Sequence, residues 1–557
     1  MDTHSLEIKC VSSLTKVFPD SALTESDICH TAQVLLNETA SFQIAYRADC
    51  LVKRLHLKID AGALPVTPVL QKVELVPSEM PGYGDEDDFV LKTSPGLFPD
   101  VLLPFSEAEE LYAYPNQWRC IWVTLSAAPD AAPGTYPLHI SISGTDDSTF
   151  GANRKWYGEE TFTLSVLPAK LPEQKIAHTE WFSTDCLSTW YHAKPLSDRW
   201  WELVNSYLKN AADHGINMIL TPVFTPPIET KIGSERLTVQ LMNIVKTGDQ
   251  YDFDFQNLEK WISIALASGI HYFEMPHLFT QWGAKFTPKI IVTENGETKK
   301  LFGWQVASED PSYRNFLSQF LPALISCLEK YLDSDQVFFH ISDEPGEDSL
   351  ERYQRLSKLV RDLIGDYPLM DALSEYTIFE KSLLNPPVTV LDTVNNFLEK
   401  QVRPLWVYYA CLENKNYIPN RFFAFPSLRN RIIGIQLYKF QIQGFLHWGY
   451  NHWYSGLSVK ELDPFTNTDS DACFPSGDAF LVYPGENGPI NSIRIEVLRE
   501  AFQDYRALTL LESLTDREHV LSILEADIPP ITFTEYPHDP VWLIDVRERI
   551  NQAILHA

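Results

Sequence analysis

The alternation of hydrophobic and polar positions changes its period near residue 170. Before that point apolar residues recur at every second position in short runs, 41–47, 54–59, 72–76, 119–125, 136–142 and 161–166. Period-two alternation puts one side-chain set on a buried face and the other toward water, the signature of half-buried strands. Turn-forming stretches such as Asp130-Ala131-Ala132-Pro133-Gly134 separate the runs. Many short strands without helical periods between them predict a β-sandwich over residues 1–168. The acidic, glycine-rich stretch Gly82-Tyr83-Gly84-Asp85-Glu86-Asp87-Asp88 reads as a solvated loop whose spacing matches no calcium loop. Val166-Leu167-Pro168-Ala169-Lys170-Leu171-Pro172 reads as a stiff linker.

After residue 174 apolar runs of strand length alternate with longer stretches of helical period. The strand runs are 178–183, 217–223, 271–275, 337–342, 369–373, 388–393, 405–410 and 444–448. Helical stretches follow at 200–214, 257–268, 313–331, 350–364, 427–441 and 493–513. A strand–helix rhythm of this kind predicts an α/β fold, a (β/α)8 TIM-like barrel spanning 175–514. Residues 515–557 read as a helical extension packed on the barrel.

Composition narrows the function. A chain of 557 residues is too long for one core, so more than one domain is expected. Its formal charge of −29 argues against a nucleic-acid partner, whose phosphates demand clustered Lys and Arg. No apolar run approaches the ~20 residues of a membrane span. The eight cysteines are dispersed and form no CxxC pair, so free thiols, no structural zinc and a reducing compartment are expected. The first residues, Met1 to Lys9, lack a basic segment followed by an apolar one, and a cytoplasmic location is expected. The sequence calls for no cofactor and is silent on oligomeric state.

The chemistry concentrates at Val337-Phe338-Phe339-His340-Ile341-Ser342-Asp343-Glu344-Pro345-Gly346. An apolar strand ends here in two adjacent carboxylates and a Pro-Gly stop. Asp343 and Glu344 read either as caps of the next helix or as a catalytic pair at the C-terminal end of the fourth strand, where barrel enzymes hold their reacting groups. Adjacent residues of a strand point to opposite faces, so the chain must bend after Asp343 for both to share a pocket. Pro345 is expected to keep Glu344 extended. Two acids held together cannot both ionise cheaply, which leaves an acid beside a carboxylate. Such a couple serves glycosidic hydrolysis.

Sugars offer apolar CH faces and a rim of hydroxyls, which aromatic platforms with polar partners recognise. The strand ends supply Trp181, His277, His340, Asn396, Tyr408, Tyr409, Trp448, Tyr450, Asn451 and Trp453 as candidate substrate-binding residues. A metal site of the amidohydrolase kind is not expected, because the first strand reads His178-Thr179-Glu180-Trp181 and lacks HxH.

The motifs His340-Ile341-Ser342-Asp343-Glu344-Pro345, Leu405-Trp406-Val407-Tyr408-Tyr409, Arg431-Ile432-Ile433-Gly434, Gly444-Phe445-Leu446-His447-Trp448-Gly449-Tyr450-Asn451 and Tyr483-Pro484-Gly485 resemble glycoside hydrolase family 123, the β-N-acetylgalactosaminidases, and related barrel proteins. So does Ser492-Ile493-Arg494-Ile495-Glu496-Val497-Leu498-Arg499-Glu500. The resemblance implies substrate-assisted retaining hydrolysis of a terminal β-linked N-acetylhexosamine, most simply N-acetylgalactosamine, through an oxazolinium intermediate. It implies Glu344 as acid and base, with a raised pKa, and Asp343 as the group that orients the 2-acetamido substituent. His447 departs from the aromatic expected in the eighth-strand motif and suggests a different subsite. Two alternatives remain: a conventional retaining glycosidase with Glu413 as nucleophile, and a non-catalytic glycan-binding protein.

Overall fold

The computed structural model describes residues 3–146 and 154–557. In the first third, two sheets face each other. One is six-stranded: Thr3–Ser5, Arg154–Lys170, Gly134–Asp146, Val52–Asp60 and Leu111–Ala113 lie in that order, and Thr31–Leu36 also pairs with Arg154–Lys170. The other is seven-stranded, in the order Glu7–Ser12, Glu38–Arg47, Arg119–Ala127, Val69–Ser78, Gly96–Pro104, Pro489–Ser492 and Val482–Pro484. Alternation sends Leu55, Leu57, Ile140, Ile142 and Leu164 of the first sheet into a shared core with Ile8, Ile44, Ile121 and Val123 of the second. Phe42 and Phe162 stack across the gap, centroids 3.8 Å apart.

Two expectations need correction here. The segment read as a linker remains in strand through Lys170, because Leu164 to Leu167 pair with Ala32 to Leu35, and Leu171 is fully buried. The acidic loop is not simply solvated. Asp87 takes a bidentate ion pair from the buried Arg429 (2.7 and 2.8 Å), and Asp85 accepts from Asn414 (2.8 Å). Matched cations and amides on the larger part of the chain offset the loop's charge.

The seven-stranded sheet crosses the boundary between the two parts. Its last two strands are a hairpin that follows the parallel sheet in sequence, with Asn491 opposite Leu102 and Ser492 opposite Val101. Nearby, Arg494 grips Asp100 with two bonds of 2.9 Å while donating to the Gly477 carbonyl (2.6 Å), all buried.

Downstream, eight parallel strands form a curled sheet. In chain order they are Ala177–Glu180, Met218–Leu220, Tyr272–Glu274, Val337–Phe338, Ala372–Leu373, Val388–Val390, Trp406–Tyr408 and Gly444–His447. The first pairs with both the second and the eighth, and the sheet's two ends, the fourth and fifth strands, meet at a Phe339–Leu369 bridge. The result is barrel-like. Ala177, Met218, Leu220, Phe338, Met370, Val388, Val390, Trp406 and Leu446 fill its interior. Gly444 is required there: a Cβ would fall on the Trp406 ring.

Long helices follow most strands, including Asp198–Asp213, Gln256–Ser268, Pro311–Leu328 and Leu350–Ile364, whereas the fifth and sixth are followed by short ones, Tyr376–Glu380 and Val394–Leu398. Helix Ile493–Leu514 starts where the Ser492 hydroxyl accepts from the Ile495 N–H. Its Ile495 and Phe502 belong to the core outside the curled sheet, while Ile493, Val497 and Leu508 pack in a second core with Val11, Trp122 and the C-terminal helix Pro540–His556. Arg547 of that last helix bridges Glu38 (2.7 Å) and Asp504 (3.1 Å).

Candidate active site

Asp343 and Glu344 stand at the mouth of the curled sheet, past the end of the fourth strand. Neither is the N-cap of the next helical segments, whose cap positions are Gly346 and Ser349, so the helix-cap alternative fails. The chain bends as the shared pocket requires, but not in the expected way. Glu344 adopts a left-handed φ of 41° rather than an extended one, a conformation that costs a non-glycine residue about 1–3 kcal/mol. Three bonds hold the bend. The Trp282 N–H donates to the Asp343 carbonyl (2.9 Å), the Glu344 N–H to the Ala372 carbonyl (3.2 Å), and the Tyr408 hydroxyl to Glu344 Oε1 (2.6 Å). The Tyr408 bond crosses the mouth from the seventh strand.

The two acids sit in different surroundings. Glu344 is exposed and Asp343 half-buried. Burial and the neighbouring Glu344 push the Asp343 carboxyl well above the usual range, with Asp371 and Glu229 adding to the effect and His340 opposing it. Asp343 is the more enclosed member of the pair.

Below them lies a buried polar layer. Trp181 Nε1 donates to Glu274 Oε2 (2.9 Å), which also meets His340 Nε2 (3.0 Å), while His340 Nδ1 meets Asp371 Oδ1 (3.1 Å). Asp371 further accepts from the Tyr353 hydroxyl (2.6 Å) and from the Ile341 and Ser342 N–H groups. Burial alone would lower the His340 imidazole, but its bonds to Asp371 and Glu274 and their charges push it up to about 9. It is an imidazolium at neutral pH. His277 stacks on it, centroids 4.2 Å apart, and burial with the His340 charge keeps His277 neutral. His277, His340 and Asp371 are close enough to share a metal ion. Both His340 nitrogens, however, are engaged by carboxylates, which fits an ion-paired imidazolium rather than a ligand.

Beside the pair opens a cleft lined by Trp181, Asp185, Glu229, Arg236, Trp448 and His452, among others. Asp185 and Arg236 form a buried bidentate pair (2.6 and 2.8 Å). Glu229 Oε1 accepts from the Leu457 N–H, and burial raises its carboxyl. His452 is buried and lowered by desolvation and by Arg236. Glu229 and Arg236 lie in the long loop after the second strand, where no periodicity marks them. Asp371 was the more legible omission: an acid inside the apolar run Leu369-Met370-Asp371-Ala372-Leu373 must have buried partners.

The structure brings Trp181, His277, His340, Tyr408 and Trp448 to the mouth or the layer beneath it. It takes the other aromatic candidates elsewhere. Tyr409, one residue after Tyr408, faces outward and reaches Asn430 (3.4 Å), as strand alternation dictates. The Tyr450 hydroxyl bonds Tyr207 O and Asn210 Oδ1, and Trp453 Nε1 bonds Val482 O, so both are core pillars. Asn451 ties down Ser183 through its N–H and carbonyl. Asn396 lies exposed on helix Val394–Leu398.

His447 also points out of the interior. Its Nδ1 accepts from Arg421 (2.6 Å) and from the Gly449 N–H (3.0 Å), and Arg421 pairs with Glu180 (2.7 Å). The departure from an aromatic at this position therefore answers a buried ion pair rather than a changed subsite. Glu413 is buried, accepts from the Ala410 N–H (2.6 Å), and is pushed up to about 8, chiefly by burial. A nucleophile must be ionised, and this carboxyl is largely protonated at neutral pH.

Paired acids at a strand-end mouth beside a polar, aromatic-lined cleft are the arrangement of a glycosidase. A model of the glycoside hydrolase 123 catalytic domain matches residues 181–511. The chain belongs to glycoside hydrolase family 123. It is similar over 99% of its length, and 98% of the other chain, to a family 123 glycoside hydrolase from Clostridium perfringens described for glycolipid glycan hydrolysis, with 14% identity and a TM-score of 0.71. A family 5 mannosidase from Rhizomucor miehei aligns over 62% of this chain and 94% of its own, at 12% identity and a TM-score of 0.35, too distant to support an argument. No curated protein sequence matches. Among the described residues no helix is long and apolar enough to cross a membrane.

Proposed function

We propose that the protein removes a terminal β-linked N-acetylhexosamine from a glycan, with retention, by substrate-assisted catalysis at a (β/α)8 barrel mouth. The observation that carries this reading is the unequal environment of two adjacent acids. Glu344 is exposed and steadied by Tyr408 (2.6 Å), open to a departing oxygen. Asp343 is half-buried above the His340 imidazolium and its carboxylate partners.

In the free enzyme the proton of the pair favours Asp343. An acetamido N–H donated to Asp343 favours its ionised form, which leaves the proton to Glu344. Glu344 then protonates the leaving glycosidic oxygen while the acetamido carbonyl attacks the anomeric carbon. The anionic Asp343 stabilises the oxazolinium. Water, deprotonated by Glu344, opens it with net retention. No enzyme nucleophile is needed on the opposite face, which suits acids that are neighbours in sequence. The choice of N-acetylgalactosamine rests on the family resemblance, and a glycolipid glycan is one source of such a sugar.

Paired aryl β-N-acetylgalactosaminide and β-N-acetylglucosaminide assays test the reading, with aryl β-galactoside as the substrate lacking the acetamido group. Asp343→Asn and Glu344→Gln are expected to lower kcat by roughly 10²–10⁴ on the preferred substrate. Rapid turnover of the galactoside would sink substrate assistance.

A further inference from the structure

The segment 77–91 of the N-terminal sheets is tied to the segments that follow the seventh and eighth parallel strands. The Ser78 and Ser476 hydroxyls share a bond of 2.6 Å, the Met80 N–H donates to Asp469 (3.2 Å), and the Met80 carbonyl accepts from Ser476 (2.9 Å). Further along, Asp85 meets Asn414 and Lys415, Asp87 meets Arg429, and the Leu91 N–H donates to the Ala424 carbonyl (2.8 Å). These anchors fall on the loops after the seventh and eighth parallel strands, except Arg429, which lies on helix Ser427–Arg431. Between them stands Tyr83, 40% exposed and beside the Cys411 side chain. Cys411 lies three residues beyond Tyr408, whose hydroxyl holds Glu344, and is itself within electrostatic reach of Glu344. Its neighbour Leu412 is 70% exposed.

The orientation of Glu344 assigns a role to this rim. The cleft that would take the terminal sugar opens on the side of the first, second and eighth strands. Glu344 instead reaches toward the seventh. The oxygen it protonates belongs to the leaving group, so the leaving group's first ring must rest on the seventh-strand side, against Tyr83 and Leu412. We propose that Tyr83 is the aromatic wall of the leaving-group subsite, contributed to the catalytic mouth by the N-terminal sheets, and that it takes the CH face of a neutral sugar. This rests on Glu344 being the acid. It gives the N-terminal part a direct hand in choosing the leaving glycan.

The test compares two substrates with the same terminal sugar. One leaves a reducing disaccharide; the other is a glycosyl azide, whose leaving group has no ring. Tyr83→Ala is expected to lower kcat/KM about tenfold for the disaccharide glycoside, mainly through KM, and to stay within about twofold of native on the azide. Tyr83→Phe, which keeps the ring and loses the hydroxyl, is expected to match the native protein on both. Equal losses of Tyr83→Ala on both substrates would mean that the ring merely supports its loop, and would overturn the proposal. So would no loss on either, or a Phe variant as poor as the Ala one. Glu344→Gln is run alongside on the disaccharide glycoside, whose leaving oxygen must be protonated: if it stays active there, the assignment of the acid fails whatever Tyr83 does.

Discussion

The His340 imidazolium offers a charge balance that can be measured. Its ring is fully buried between Glu274 at 3.0 Å and Asp371 at 3.1 Å, so water cannot take its place. The lift from 6.5 to about 9 corresponds to about 3 kcal/mol. The folded value lies above the unfolded one, so this stabilisation is complete below pH 6.5 and is lost as pH rises to about 9. A clean perturbation is His340→Gln combined with Glu274→Gln. It removes one charge of each sign, leaves an amide acceptor for Trp181, and leaves Asp371 its bonds from Tyr353, Ile341 and Ser342. Urea unfolding followed by tryptophan fluorescence, repeated across this pH range, compares the two proteins. Native stability should fall by about 3 kcal/mol relative to the double variant between pH 6.5 and 9. Parallel pH curves would show a neutral His340 and refute the charge assignment.

Four further outcomes are expected. Tyr408→Phe, which deletes the hydroxyl held to Glu344, should lower kcat by roughly tenfold or more, the usual worth of a hydrogen bond to a charged group; an unchanged kcat would remove Tyr408 from the site. In a pH–rate profile the alkaline limb should lie above the ordinary carboxylate range, because burial and Glu344 raise Asp343, which under the proposed mechanism holds the pair's one proton in the free enzyme. His340→Gln alone should move that limb to still higher pH, since His340 opposes the rise. Arg494→Met strands the buried Asp100 and should cost about 3–5 kcal/mol in thermal or urea unfolding.

The barrel-like sheet was readable because parallel strands covered on both faces appear as near-continuous apolar runs. Seven of the eight strands lie within the runs that announced them, and the first begins one residue earlier, at Ala177. The acid pair was readable for the opposite reason, since two charges interrupt an apolar run where a strand must stop. Tyr409, Tyr450 and Trp453 misled because composition marks a strand end as aromatic but does not say which face each ring takes. Tyr408 and Tyr409 differ by one residue and look in opposite directions. Glu229 and Arg236 were hidden for want of periodicity in a loop. The bend at Glu344 escaped because neighbouring bonds, rather than the pre-proline preference, set its backbone.

The hairpin of Val482–Pro484 and Pro489–Ser492 makes the chain poorly divisible. A fragment starting at the first parallel strand would carry two strands whose sheet partner, Gly96–Pro104, had been cut away. It would present a bare edge able to pair with other copies. It would also leave Arg494 buried without Asp100. Anyone trimming this enzyme to a minimal catalytic piece, or grafting its barrel-like part onto another partner, should expect aggregation. In this chain the family's catalytic segment is a unit of sequence but not a unit of assembly.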